Sequence, residues 1–223
     1  MIEILLYISS GLIIFGYIFY LVIILIGRSK IVSDIDGFDV TKDIISEYDS
    51  INIIENNGYF TVYNLKRKVI KLATKCYYGK DISSVSLALI EAGISVVDSK
   101  KNKYIDIFRV VFNNLKLLYI IPLVALFINN SSFSVSDAKV SIFIGLLFSF
   151  ISYILIEIKS DGIYWIGNNL KKIKSVNNVN RDKIISFMNR LMLFDKFIYF
   201  GELVMVIRLV LIMLEIKLFD NKL

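Results

Sequence analysis

The sequence predicts a mainly α-helical membrane protein, with four transmembrane helices and a small cytoplasmic α+β lobe. Three observations predict it. First, 56% of the 223 residues are hydrophobic and mean hydropathy is +0.66, above the roughly 45–50% apolar content of soluble domains. Second, the apolar residues gather into long uncharged runs. Third, the basic residues gather between those runs: residues 27–110 hold 13 Lys or Arg and residues 159–196 hold eight.

Residues 1–26 read as a transmembrane anchor. Ile4 to Ile26 is 23 uncharged residues, about 34 Å as a helix and enough to cross a hydrocarbon layer of about 30 Å. No basic residue precedes the run and no small-residue cleavage site follows it, so a permanent anchor is favoured over a signal peptide. Arg28 and Lys30 follow at once, as at a cytoplasmic boundary.

Residues 27–106 read as a cytoplasmic lobe. Asp34, Asp36, Asp39 and Asp43 lack the glycine and closing glutamate of a calcium loop and fit the start of a helix around Thr41–Tyr48. Asn57-Gly58 signals a turn. Tyr59–Tyr63 and Lys68–Leu72 alternate apolar and polar residues, and Asn64–Arg67 can turn between them, giving a two-stranded hairpin. Lys66, Arg67, Lys68, Lys71 and Lys75 crowd it, either as a solvated face that blunts an edge strand or as a contact for anionic headgroups.

Asp81–Asp98 then reads as a helix, capped by Asp81 or Ser83. Leu87, Ile90, Ile94 and Val97 fall on one helical stripe, with Glu91 about 100° around from it. A metallopeptidase helix has histidines at the positions of Ile90 and Ile94 and a glutamate between them as general base. Here only the glutamate is present.

Residues 107–158 read as a pair of membrane helices. Ile107–Ile128 carries polar residues in its first half and Pro122 in its second. Asn129–Lys139 reads as an outer loop, and Val140–Ile156 is 17 uncharged residues, the short end of a span. Residues 159–196 form a basic cytoplasmic segment in which Asp182–Leu193 looks like an amphipathic surface helix. Residues 197–223 hold the last span, Phe197–Leu214, interrupted by Glu202 and Arg208. Snorkelling towards the interface fits Glu202; Arg208 is harder to account for in this way. Intramembrane charges mark functional sites or interhelical pairs. The basic excess places both polar regions in the cytoplasm of a multi-pass protein of the cell membrane.

Composition excludes several chemistries. The chain has no histidine and one cysteine, Cys76. That removes the usual zinc ligand, the usual general base near neutral pH, and every Ser-His or Cys-His nucleophile pair. It also excludes an internal disulfide and fits a reducing compartment. The charge of +6 fits cytoplasmic loops beside anionic lipid, and no basic stripe interleaved with aromatics points to nucleic acid.

The order of anchor, hairpin, potential HExxH helix, two spans, basic segment and a last span with arginine resembles the bacterial membrane-embedded neutral zinc metallopeptidases, the YugP-like proteins. The resemblance covers nearly the whole chain. Its best block follows Lys68 and ends at Val97, VIKLATKCYYGKDISSVSLALIEAGISVV. The resemblance implies that Glu91 and Gly93 stand for the family's catalytic glutamate and following glycine, and Ile90 and Ile94 for its two zinc-binding histidines. Glu157, with Asp161 four residues on, stands where the family carries its third ligand. It implies a catalytically inactive relative without metal or cofactor, a membrane scaffold or partner-binding subunit whose cytoplasmic lobe holds a membrane protein or peptide without cutting it. Two other readings stand beside it. One is an active peptidase of altered metal chemistry using Glu91, Glu157 and Asp161. The other is a small transport or immunity-type membrane subunit built around Glu202 and Arg208.

Overall fold

The structure is a computed structural model that describes residues 2–31, 34, 36–46, 48, 51–58, 61–64, 67–99, 135–172, 176 and 178–220. It is mainly helical with one small sheet. Helix α1 is Ile2–Gly27 and α2 is Gly37–Ile45. Strands β1 (Asn52–Asn56), β2 (Val62–Asn64) and β3 (Val69–Ala73) follow, then α3 (Thr74–Tyr77), α4 (Ile82–Ser99), α5 (Val135–Asn169) and α6 (Asn178–Asp220). The chain divides into two compact units. One comprises Met1–Tyr17, Tyr104–Leu155 and Asp195–Leu223; the other comprises Ile18–Lys103 and Ile156–Phe194.

In the first unit, α1 meets α6 where small side chains let backbones approach. A Cβ on Gly201 would lie 2.6 Å from Ile13 Cγ1 and 2.9 Å from the Ser9 carbonyl oxygen. Phe15 packs edge-on against Phe197 at 5.9 Å between ring centroids, and Tyr153 of α5 lies 6.2 Å from Tyr199. Tyr7, Ile14, Phe143, Phe150 and Ile207 point away from protein. Glu202 and Arg208 do not: both are buried, on the side of α6 that also buries Met205 and Leu209. The expected snorkelling of Glu202 is therefore corrected, because the helix turns that carboxylate inward.

In the second unit, Asp36 caps α2 by accepting the Asp39 N–H at 3.0 Å, so the acidic cluster is a helix start. Lys68, at φ 49°, sits in the turn between β2 and β3. The expected hairpin is present, but it is part of a three-stranded sheet of order β1-β3-β2, with β1 parallel to β3 and β2 antiparallel to it. Strand β1 escapes the sequence because NIIEN is short and does not alternate. Its partner is reached only after another strand has been made, so no local hairpin signal announces it.

Four boundaries are corrected as well. The helix expected at Thr41–Tyr48 is Gly37–Ile45, drawn forward by its Asp36 cap. Val140–Ile156 is the middle of α5, which starts inside the expected outer loop and continues into the basic segment to Asn169. Asp182–Leu193 and Phe197–Leu214 belong to one helix, α6. A change in hydropathy is not a helix break when no proline interrupts the backbone bonds. Ile107–Ile128 lies outside the described residues.

Helix α4 is the core of this unit. Asp81 caps it: Oδ1 accepts the Ser84 N–H at 3.0 Å and the Ser83 hydroxyl at 2.7 Å, and Oδ2 accepts the Ser84 hydroxyl at 2.7 Å. Ile31 and Asp81 form an isolated antiparallel bridge, and the Ile82 N–H reaches the Lys30 carbonyl at 2.8 Å. The expected apolar stripe is only part of the buried surface. Leu87 and Val97 are half-buried, while Val85, Ala88, Leu89, Ala92 and Val96 are fully enclosed. Small residues mark where neighbours come closest, and a stripe of large side chains misses them.

Candidate functional site

The middle turns of α4 hold the residues singled out by the sequence. Ile90 and Ile94 are buried, at 2% and 4% exposure. Between them Gly93 meets Gly162 of α5: a Cβ on Gly93 would collide with the Gly162 carbonyl oxygen, and one on Gly162 would lie 2.8 Å from the Ile94 amide nitrogen and 3.0 Å from the Gly93 carbonyl carbon. Ile166, one turn on from Gly162 and fully buried, packs on Gly93 as well. The two backbones therefore touch beside the position where the resemblance puts a metal.

Glu91 is half-buried and points to the sheet, where its Oε2 accepts the Tyr63 N–H at 2.7 Å. The register explains this bond. Val62 and Asn64 pair with Lys71 and Val69, so Tyr63, opposite Ile70, is the non-hydrogen-bonded residue of β2 and turns its N–H away from β3. Short contacts between a carboxylate and a backbone N–H are among the stronger hydrogen bonds. Glu91 thus closes the outer edge of β2. Just beyond that strand, the Thr61 hydroxyl oxygen accepts the Ala73 N–H at 3.2 Å, extending the β3 ladder past the end of β2.

The other two acidic positions lie on α5. Gly162 is the residue of α5 that faces Gly93, and Glu157 stands five residues earlier, about 140° around the helix. Its side chain is exposed and that of Asp161 half-buried. Among the described residues no three histidine, cysteine, aspartate or glutamate side chains are grouped so as to hold a metal ion. Ile90 and Ile94 offer hydrocarbon only. The residues present do not fit zinc.

Cys76 is free and buried. Burial pushes its thiol above the usual range and the Asp81 charge adds to this, while the Thr61 hydroxyl and Arg28 pull the other way. A neutral, enclosed thiol is a poor nucleophile.

Sequence reasoning missed Gly162 and Tyr63 as partners of the α4 positions. Asp161-Gly162 reads locally as a turn, which hid the first. Nothing local signals the second. Compared with known family models, curated proteins and solved structures, the chain matches none.

Proposed function

We propose that this protein is a membrane-anchored, non-catalytic binding subunit, a relative of the zinc metallopeptidases whose metal cradle is filled by Ile90, Ile94 and the Gly93–Gly162 contact. The observation that carries the reading is that contact. Where hydrolysis would need an open metal site, two backbones touch, and the Glu91 carboxylate accepts a backbone N–H at a strand edge. Aliphatic residues are a coherent replacement, because an imidazole left there without metal would bury an unsatisfied polar group.

Membrane attachment rests on α1. Among the described residues it is the one helix long and apolar enough to cross a bilayer, Ile4–Gly27, with mean hydropathy 2.4 and 11% of its apolar window buried. In the fuller reading, Ile107–Ile128, Val140–Ile156 and Phe197–Leu214 add three more spans. Both basic regions then face the cytoplasm and hold another membrane protein or a peptide without cutting it.

The test uses the full chain. Alkaline carbonate leaves it in the membrane pellet, detergent-purified protein carries zinc well below one ion per chain, and Glu91→Gln leaves background hydrolysis of a fluorogenic peptide mixture unchanged. Stoichiometric zinc, or hydrolysis abolished by Glu91→Gln, overturns the non-catalytic reading. Release by carbonate overturns the anchored one.

A further inference from the structure

The two edges of the sheet differ. At β2 the outward donor, the Tyr63 N–H, is taken by Glu91. At β1 the outward groups face no described residue. The Asn52 N–H donates to the Lys68 carbonyl at 2.9 Å, and Asn52 pairs with Val69 in parallel register. Residues 52, 54 and 56 therefore turn their backbone groups to β3, and Ile53 and Glu55 turn theirs outward. Strand β1 contains no proline or lysine, and its edge carries one charge, Glu55.

We infer that β1 is a docking edge for an extended segment of a partner polypeptide, with an apolar residue opposite Ile54 and a cationic residue opposite Glu55. This inference rests on the partner-holding role proposed above and names the kind of partner. An extended backbone satisfies the N–H and C=O of both Ile53 and Glu55 together, in the manner of strand addition. The neighbouring side chains set its pattern. Ile54 is 44% exposed, and in an antiparallel addition it falls at a non-hydrogen-bonded pair, where side chains come closest. Glu55 is exposed and the one charge on the strand, and its Oε2 accepts the hydroxyl of Tyr78 at 3.0 Å. That bond fixes one oxygen of the carboxylate, and a side chain opposite Glu55 on an added strand comes within the cross-strand distance at which opposite charges attract. A five-residue edge buries too little for a stable subunit interface, which favours a short linear segment over a second copy of this chain.

The probe is a dye-labelled seven-residue peptide of alternating Lys and Val, blocked at both ends, with a Glu/Val peptide as its counterpart. Fluorescence anisotropy reads binding to the full chain in detergent. The Lys/Val peptide binds at least about tenfold more tightly than the Glu/Val peptide, and Glu55→Lys inverts that preference. Ile53→Pro removes an outward donor without touching the β1–β3 ladder, so it weakens the Lys/Val peptide about tenfold while melting stays near wild type. Glu55→Lys keeps the proposal testable should the proline variant not fold. Equal binding of both peptides, binding unmoved by both variants, or no binding overturns the inference. So does a concentration-dependent oligomer that Ile53→Pro dissolves, which would make the occupant a second copy. None of these results alters carbonate retention or zinc content, so the docking edge can fail while the anchored, non-catalytic reading stands.

Discussion

Helices α1 and α4 are both apolar, and the protein treats them in opposite ways. In α1, Ile4, Tyr7, Leu21 and Leu25 are each at least 60% exposed. In α4, seven side chains have no exposure at all, and the rest of its described length is buried or half-buried. The difference lies in residue size. Helix α1 lets α6 come close at a few small residues, Ser9 and Gly27 among them, and the Ile, Leu, Phe and Tyr along the rest of it leave a surface that a hydrocarbon solvent can cover. Helix α4 interleaves Ala, Gly and Ser with its large residues, so α2, the sheet and α5 close on it directly. Apolar content alone does not separate a span from a core helix; the distribution of small residues does.

The sharpest way to break this contrast is at the helix crossing. Gly162→Leu drives a side chain into the backbone of Gly93 and Ile94. We expect a loss of about 3 kcal/mol or more, read as an early melting transition of the full chain in detergent. Gly167 on the same helix has nothing within 4 Å of a Cβ, so Gly167→Ala leaves the melt unchanged or raises it by about 0.5–1 kcal/mol. Equal effects of the two would show that the contact is not tight.

Next in size is a matched truncation. Leu89→Ala removes a fully enclosed side chain and costs about 2–5 kcal/mol. Leu21→Ala removes one that is 60% exposed, and its effect on the same melt stays within about 0.5 kcal/mol. A large loss on Leu21→Ala would mean that protein, rather than lipid, covers α1.

The smallest effect is a pH dependence. Burial raises the pKa of Cys76, so its contribution to stability is fully present below the ordinary thiol value of about 8.5. It declines as pH rises from there through the raised folded value, because the unfolded chain ionises first. Cys76→Ala flattens that alkaline slope in a series of melts. An unchanged slope would show that the thiol is not shielded.

Particular residues show how much of this was legible. That the acidic cluster opens a helix, and that Asp81 or Ser83 opens the next, could be read directly, since short polar side chains before a helical run favour capping; that Asp36 is the cap of α2 could not. The apolar run of α1 was equally plain. The hairpin was half of the sheet, because β2 and β3 signal each other locally and β1 does not. At the candidate site the absent chemistry was visible: no histidine, and isoleucine at 90 and 94. The new roles were not. Glu91 looked either catalytic or solvated, and the partner it has in the structure, the Tyr63 N–H, belongs to a strand 28 residues away that no local pattern connects to it.

By itself the sequence determined that Asp81 stands at the start of α4, that α1 is long and apolar enough for a bilayer, and which reactions the chain lacks the groups to perform. These follow from residue type and spacing, which act over one or two turns. Only the tertiary structure decided that Gly93 faces Gly162, that Glu91 closes one strand edge, and that Ile53 and Glu55 leave the other open. Those outcomes depend on register and close approach between distant segments, and a shift of one residue in a strand reverses which backbone groups face out.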